Sequence, residues 1–201
     1  YRQFQLYQQA LAQLQAAGID PPQKHMCNSG GSYWFRASFC NAVRIGRRLY
    51  MDNQAEPLTP GTPGAVQEAC SWRASVTNLR VVEAGDTVGY DAAWTAPRRT
   101  RVATVCVGYG DGLYYPLAEA GGPLLVGEQR ARLLATCMDQ CFVDVTDIPC
   151  RAGDEVTFFG QSSGGAAMPI QELGKLMHVE GVYFYSFLSP RVARVYEGLE
   201  P

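Results

Sequence analysis

The sequence is poor in lysine: Lys24 and Lys175 are the only two among 201 residues, so chemistry that needs an amine has just those candidates in this chain. Histidine is equally scarce. His25 and His178 stand alone and read as structural residues rather than ligands, and no metal site is expected. The seven cysteines form an odd set without C-x-x-C or metal-finger spacing, which favours a reduced, cytosolic protein with mostly buried thiols. Excess charge is also lacking. Lys and Arg number 17 against 19 Asp and Glu, a net charge of -2, so nothing points to nucleic acid or an anionic membrane as a partner. A β-barrel that binds nucleic acid would need a basic patch with interleaved aromatics, and none is present. No apolar run approaches the roughly 18 residues that span a bilayer, and no signal peptide is expected.

What remains is an ordinary globular composition, 47% hydrophobic and 18% charged, in a chain long enough for one large domain or two small ones. The chain opens at Tyr1 in what reads as mid-helix, which suggests a fragment or processed piece. Residues 2–17 place Phe4, Leu6, Leu11, Leu14 and Ala17 among glutamines, with Tyr7, Leu11 and Leu14 on one face: an amphipathic helix. Gly18 suits its C-terminal stop, and Pro21-Pro22 forbid its continuation. Lys24–Cys27 has strand length, Asn28-Ser29-Gly30-Gly31 breaks it, Tyr33–Cys40 reads as helical, and Asn41–Leu49 as another short strand. That alternation is the rhythm of an α/β barrel or a doubly wound sheet.

After Asp52 the rhythm changes. A stretch at 54–66 rich in Pro, Gly and Thr reads as a linker. Downstream, strand signals recur at 74–83, 87–90, 101–107, 124–126, 130–134, 142–145 and 155–159, the spacing of a barrel-like β-domain. Gly127-Glu128 reads as a hairpin turn. Ala84-Gly85-Asp86 and Ala152-Gly153-Asp154 read as one turn solution used twice. Residues 170–177 form a short helix led in by Pro169.

Several residues could carry chemistry. Asn28-Ser29-Gly30-Gly31 follows a strand, as functional loops do in α/β barrels, and a hydroxyl with free backbone N–H groups suits a phosphate; read alone, the stretch is an ordinary turn. Arg44-Ile45-Gly46 lies one unit further on and makes a shared anion site more credible. Tyr90 stands between Gly89 and Asp91. A strand tyrosine is usually packing, and as a base it would need a nearby cation to lower its pKa of about 10. Tyr109 and Asp111 lie in G-Y-G-D-G, whose three glycines signal an unusual backbone rather than a particular reaction. Cys137 has no adjacent histidine or basic residue and reads as a site-lining thiol, not a nucleophile.

Taken in order, six strings resemble the alanine racemase family, fold-type III pyridoxal-phosphate (PLP) enzymes. They are H-M-C-N-S, V-R-I-G-R-R-L-Y, V-G-Y-D-A-A-W-T-A, G-Y-G-D-G, C-M-D-Q and R-V-A-R-V-Y. The resemblance implies an α/β plus β fold. Residues 1–53 would be the last strand–helix units of a PLP-binding TIM-type barrel, 54–66 the linker, and 67–201 a mostly-β, barrel-like C-terminal domain. It implies that Ser29 and Gly46 hold the cofactor phosphate, that Arg44 faces the pyridine nitrogen, and that Tyr90 is one of two bases that move the substrate α-proton. Met138 would bind the substrate carboxylate through its N–H, and Tyr109 would line the access corridor. The implied reaction interconverts L- and D-alanine for cell-wall peptidoglycan. The implied assembly is a homodimer in which each β-domain completes the partner's site.

The chain departs from the family pattern in four places. The Schiff-base lysine belongs near the start of the barrel, and neither Lys24 nor Lys175 is placed to replace it, so this chain alone would be inactive and would need the barrel segment that carries that lysine. Arg47 and Met51 replace a usually apolar residue and a glycine. The tyrosine that usually precedes the final R-V motif falls on Val182, beside Tyr183, which keeps serine open as the substrate. A rival reading, from another class, is a non-catalytic dimerising or binding module of the same descent, which would have no need to retain Ser29, Arg44 and Tyr90 together.

Overall fold

The computed structural model describes residues 1–35, 40–50 and 68–198. The chain forms two compact units, Tyr1–Gln67 and Glu68–Pro201. Among the described residues no helix is long and apolar enough to cross a membrane.

The first unit begins with α1 (Arg2–Ala16). Its half-buried positions are Phe4, Tyr7 and Leu11, one face at helical spacing. Tyr1 and Phe4 each meet the Phe35 ring edge-on at 5.7 Å. The helix stops where the glycine predicts. Gly18 has φ +75, its N–H donates to the Gln15 carbonyl at 3.0 Å, and the Ile19 N–H reaches back to Leu14 at 2.9 Å. This is a Schellman closure, and it satisfies carbonyls that the helix end would otherwise leave unpaired.

The two short strands expected at Lys24–Cys27 and Asn41–Leu49 are reduced to one parallel bridge, His25 to Ala42. It is flanked by Asn41 N–H to Lys24 O (3.2 Å) and Arg44 N–H to Cys27 O (2.8 Å). The segments do run side by side in parallel, but with no further strand beside them among the described residues the ladder stays short. Between them, the stretch expected to break the chain instead starts α2 (Ser29–Trp34). Asn28 is extended (φ -84, ψ -170) and its Oδ1 accepts the Gly31 N–H at 2.9 Å, an N-cap. The expected helix over 33–40 therefore begins four residues early, and its residues 36–39 lie outside the described residues, as do Met51 and the linker at 54–66.

The second unit is a closed antiparallel barrel. Its strands are β1 (Trp72–Val82), β4 (Thr100–Val105), β5 (Pro123–Val126), β6 (Gln129–Thr136), β7 (Cys141–Asp144) and β8 (Glu155–Gln161). They pair in the ring β1-β4-β7-β6-β5-β8 and back to β1. One long strand closes the ring: Trp72–Ser75 of β1 pair with β8, and Val76–Val82 pair with β4, with register shifts at Trp72/Arg73 and Val76/Asn78 that bend it. Closure leaves none of the six with an open edge. Val102, Val105, Val143 and Val156 are fully buried, with Phe158 and Phe159 packed on Trp72. A small hairpin, β2 (Thr87–Val88) with β3 (Trp94–Thr95), and the strand β9 (Ala167–Met168) sit on this frame.

Turn chemistry sets the registers. Gly127 (φ +57) and Glu128 are the two-residue loop between paired Val126 and Gln129. The two Ala-Gly-Asp turns share one geometry: Gly85 and Gly153 both have φ +93, and Asp86 and Asp154 each accept the backbone N–H three residues back at 2.8 Å. Three short helices complete the unit: α3 (Pro116–Glu119), α4 (Ile170–Leu176) and α5 (Val182–Phe187). Pro169, at the N-cap of α4, offers no side-chain acceptor, and the Glu68 carboxylate takes the Ile170 N–H at 2.9 Å instead.

Candidate functional site

Ser29, Gly46 and Arg44 belong to the first unit. Ser29 is the first residue of α2 and is buried (8% exposed). Its hydroxyl accepts the Gly46 N–H at 2.9 Å, so two candidates 17 residues apart come together. The parallel segments make this happen: the Arg44 N–H is pinned to Cys27, which carries the chain on to Gly46 beside the start of α2. Arg44 itself is exposed. The N–H groups of Ser29 and Gly30 lie in the first helical turn, where the helix offers no acceptor. Around Gly30 and Gly46 there is room, since an added Cβ would approach nothing closer than 3.6 Å and 3.9 Å. A hydroxyl, backbone donors and open space suit a phosphate, so these residues fit the phosphate end of PLP. They do not fit its carbonyl end. Lys24 is ion-paired with Asp20 at 2.5 Å, and Lys175 is exposed in the last turn of α4.

Tyr90, Tyr109 and Met138 belong to the second unit. The β2–β3 hairpin is fixed to the barrel through Val88, Ala96 and Trp94, packed with Val82, Val102, Leu134, Ala135, Cys137 and Phe142. The strand expected over 87–90 ends at Val88, because Gly89 (φ +87) turns the chain outward. A Cβ on Gly89 would lie 2.8 Å from that of Ala135, so the turn presses directly on β6. Tyr90 opens a 3-10 turn, Tyr90–Ala92, and stands 56% exposed. Asp91 and Ala92 follow in the left-handed region (φ +52 and +56), a conformation non-glycine residues seldom adopt. Packing, the usual role of a strand tyrosine, does not explain this phenol.

Tyr109 opens the 3-10 turn of G-Y-G-D-G and is also exposed. The turn lies against the Cys137-Met138 corner: Tyr109 N–H donates to Cys137 O at 3.0 Å, and Gly110 N–H to Met138 O at 2.8 Å. The glycines permit this approach. A Cβ on Gly108 would fall less than 3.0 Å from three backbone atoms of Cys137 and Met138. The Met138 side chain is exposed, and its own N–H has no acceptor among the described residues. Tyr90, Asp91, Tyr109 and Tyr115 line a depression of ≈ 510 Å³.

Two contributors escaped the sequence reading. Tyr115 packs edge-on against Tyr109 (5.9 Å between centroids), and the only hint was the Tyr114-Tyr115-Pro116 string after the glycine-rich turn. Asp111, read as an ambiguous turn residue, is buried and bonded on several sides. Electrostatically, the neighbours of Tyr90 in this unit are acidic. The Cys137 thiol, some desolvation, the Tyr109 phenol and the Asp139 carboxylate, in that order, push its pKa above the ordinary phenol value. The phenol therefore holds its proton more tightly than a free one, and to act as a base it would need a cation beside it. Cys137 is buried, as are Cys27, Cys141 and Cys150.

Comparison with known proteins gives a consistent result. The sequence model of the alanine racemase C-terminal domain matches residues 69–196, and that of the alanine racemase N-terminal domain matches residues 1–54. The alanine racemase of Desulforamulus reducens is 32% identical over 198 residues, covering 98% of this chain and 52% of that protein. Among solved structures, the alanine racemase from D-cycloserine-producing Streptomyces lavendulae superposes with a TM-score of 0.85 at 28% identity, over 98% of this chain and 51% of that one. That of Bacillus anthracis with bound L-Ala-P gives 0.84 at 26% identity, over 94% and 48%. The chain spans about half the length of the curated relatives it matches.

Proposed function

Because the chain belongs to the alanine racemase family, we propose that it supplies the C-terminal half of a PLP-dependent racemase that interconverts L- and D-alanine. The observation that carries the reading is Tyr90, a phenol lifted into solvent over a depression by a turn that is itself locked to the barrel. Residues 1–53 are the end of the cofactor-binding barrel, 54–66 the linker, and 67–201 the β-domain.

PLP, when bound, supplies the electron sink that acidifies the substrate α-carbon. The Ser29 hydroxyl and the first-turn donors of α2 would hold its phosphate, joined by the Gly46 N–H, which here donates to the Ser29 hydroxyl. Arg44 would face the pyridine nitrogen. A guanidinium keeps its own proton, so Arg44 would offer that nitrogen a hydrogen bond rather than a proton. The Met138 N–H binds the substrate carboxylate, and Tyr109 with Tyr115 narrows the access path. Tyr90 moves the α-proton on the L face. Its neighbours raise its pKa, so removing a proton requires a cation beside the phenol in the assembled site. The proposed assembly is a homodimer in which the β-domain of one subunit completes the partner's site. The second base is a lysine in the half of the relatives that this chain does not span. Product D-alanine would feed peptidoglycan, and serine is the second substrate to assay.

The test is complementation. This chain is produced with and without the polypeptide matching the other half of its relatives, each with PLP, and D-alanine is quantified by chiral chromatography. Racemisation is expected only from the combination. Turnover by this chain alone would overturn the assignment of the second base.

A further inference from the structure

Asp111 is buried (8% exposed), although Tyr109 in the same G-Y-G-D-G turn is exposed. Its Oδ2 accepts the Gly108 N–H at 2.9 Å, and the Asp111 N–H returns a bond to Gly108 O at 3.0 Å, so the carboxylate closes the turn from within. Its Oδ1 faces Arg191 Nε at 3.5 Å, and its carbonyl accepts the Ser189 N–H at 2.9 Å. One residue thus ties the turn to the start of R-V-A-R-V-Y.

The closed turn has one further consequence. It presents the Tyr109 N–H to Cys137 O at 3.0 Å and the Gly110 N–H to Met138 O at 2.8 Å. A trans peptide is planar, with its C=O and N–H pointing in opposite directions. Once the Cys137 carbonyl is held toward the turn, the Met138 N–H on the same peptide must point away from it. That N–H has no acceptor among the described residues. We propose that Asp111, braced by Arg191, is a positioning residue that aims the Met138 N–H and so sets affinity for the substrate carboxylate without touching substrate. The inference rests on the assignment of that N–H to the carboxylate in the function proposed above.

The experiment uses the complete racemase, with L-alanine as substrate and propionate as a competing carboxylate. Asp111→Ala is expected to raise KM and the propionate inhibition constant together by roughly tenfold or more, the range for a hydrogen bond to a charged group, with kcat within about threefold of wild type. Asp111→Asn, which keeps an acceptor for the Gly108 N–H, should recover most of the loss. Arg191→Ala, which removes only the brace, should fall between the two. A merely structural role would lower kcat and protein yield in step and leave the propionate constant unmoved. Unchanged KM and propionate affinity in Asp111→Ala would overturn the inference, as would a fall in kcat alone. Tyr90→Phe is assayed beside them. If it racemises at the wild-type rate, the functional reading fails. If it is slow while Asp111→Ala keeps its KM, only the positioning inference fails.

Discussion

Replacing Gly108 with alanine tests how tightly the glycine-rich turn is seated on the Cys137-Met138 corner. Gly108 has φ -135 and ψ -170, an extended backbone that alanine adopts freely, so no dihedral strain enters. The cost is steric. The new Cβ would lie under 3.0 Å from the Cys137 oxygen and from the Met138 carbonyl carbon and oxygen, all backbone atoms that cannot swing aside. Relief to ordinary contact at 3.4 Å requires turn and corner to part by more than 0.4 Å. That movement stretches the bonds of 3.0 Å and 2.8 Å that join them. Overpacking of this kind costs about 1–3 kcal/mol, and each hydrogen bond lost adds about 1 kcal/mol. A total of about 3–5 kcal/mol corresponds to a fall in Tm of roughly 10 °C or more. Differential scanning calorimetry of the variant reads it. The control is Gly127→Ala, where the Cβ meets nothing within 4 Å and only the left-handed φ of +57 is strained, about 1–2 kcal/mol. A Gly108→Ala protein that melts with wild type, or above Gly127→Ala, would refute the claim that the corner is held by close backbone approach.

Other expectations follow from the same geometry. Ser29→Ala removes the acceptor of the Gly46 N–H and a proposed phosphate ligand, so PLP affinity of the complete enzyme should fall roughly tenfold by spectroscopic titration; unchanged affinity would remove Ser29 from the phosphate site. Glu172 is held below the usual carboxylate range, first by its hydrogen bonds from Arg130 and then by the charges of Arg130 and Lys175. A lowered folded pKa gives stability that is present above the unfolded value and lost as pH falls through the folded one. Glu172→Gln should therefore destabilise the protein near pH 7 and converge with wild type in acid. The pair is part-exposed, so the difference is about 1 kcal/mol or less, read from urea unfolding at both pH values.

Much of the barrel was legible because its signals are local. Alternation marks the strands, and Gly-Asp or Gly-Glu marks their turns, so β5, β6 and the two Ala-Gly-Asp corners fall where residue type demands. The double pairing of β1 was not legible, since nothing in Trp72–Val82 says that its two halves serve different neighbours. Asn28-Ser29-Gly30-Gly31 misled because composition gives a turn, whereas one side-chain bond, Asn28 Oδ1 to the Gly31 N–H, makes it a helix start. The short strands at 24–27 and 41–49 were read from a pattern that belongs to a larger parallel sheet, and a pair on its own sustains only a bridge. Ser29 with Gly46, and Tyr90 with Tyr109, were singled out through motif order, and the fold brings each pair together. Tyr115 and Asp111 were not, because their roles depend on which segments the fold presses together: the Tyr109 ring against Tyr115, and Arg191 against a turn 80 residues earlier.

The most direct measurement is the rate at which the complete enzyme converts L- to D-alanine when Tyr90 is replaced by phenylalanine, with the mass of the assembly recorded in parallel. Loss of a proton-transferring side chain is expected to slow turnover by about 10²–10⁴-fold while the oligomer stays intact. Wild-type turnover from Tyr90→Phe would contradict the account at its centre, for the exposed phenol would then have no part in moving the proton.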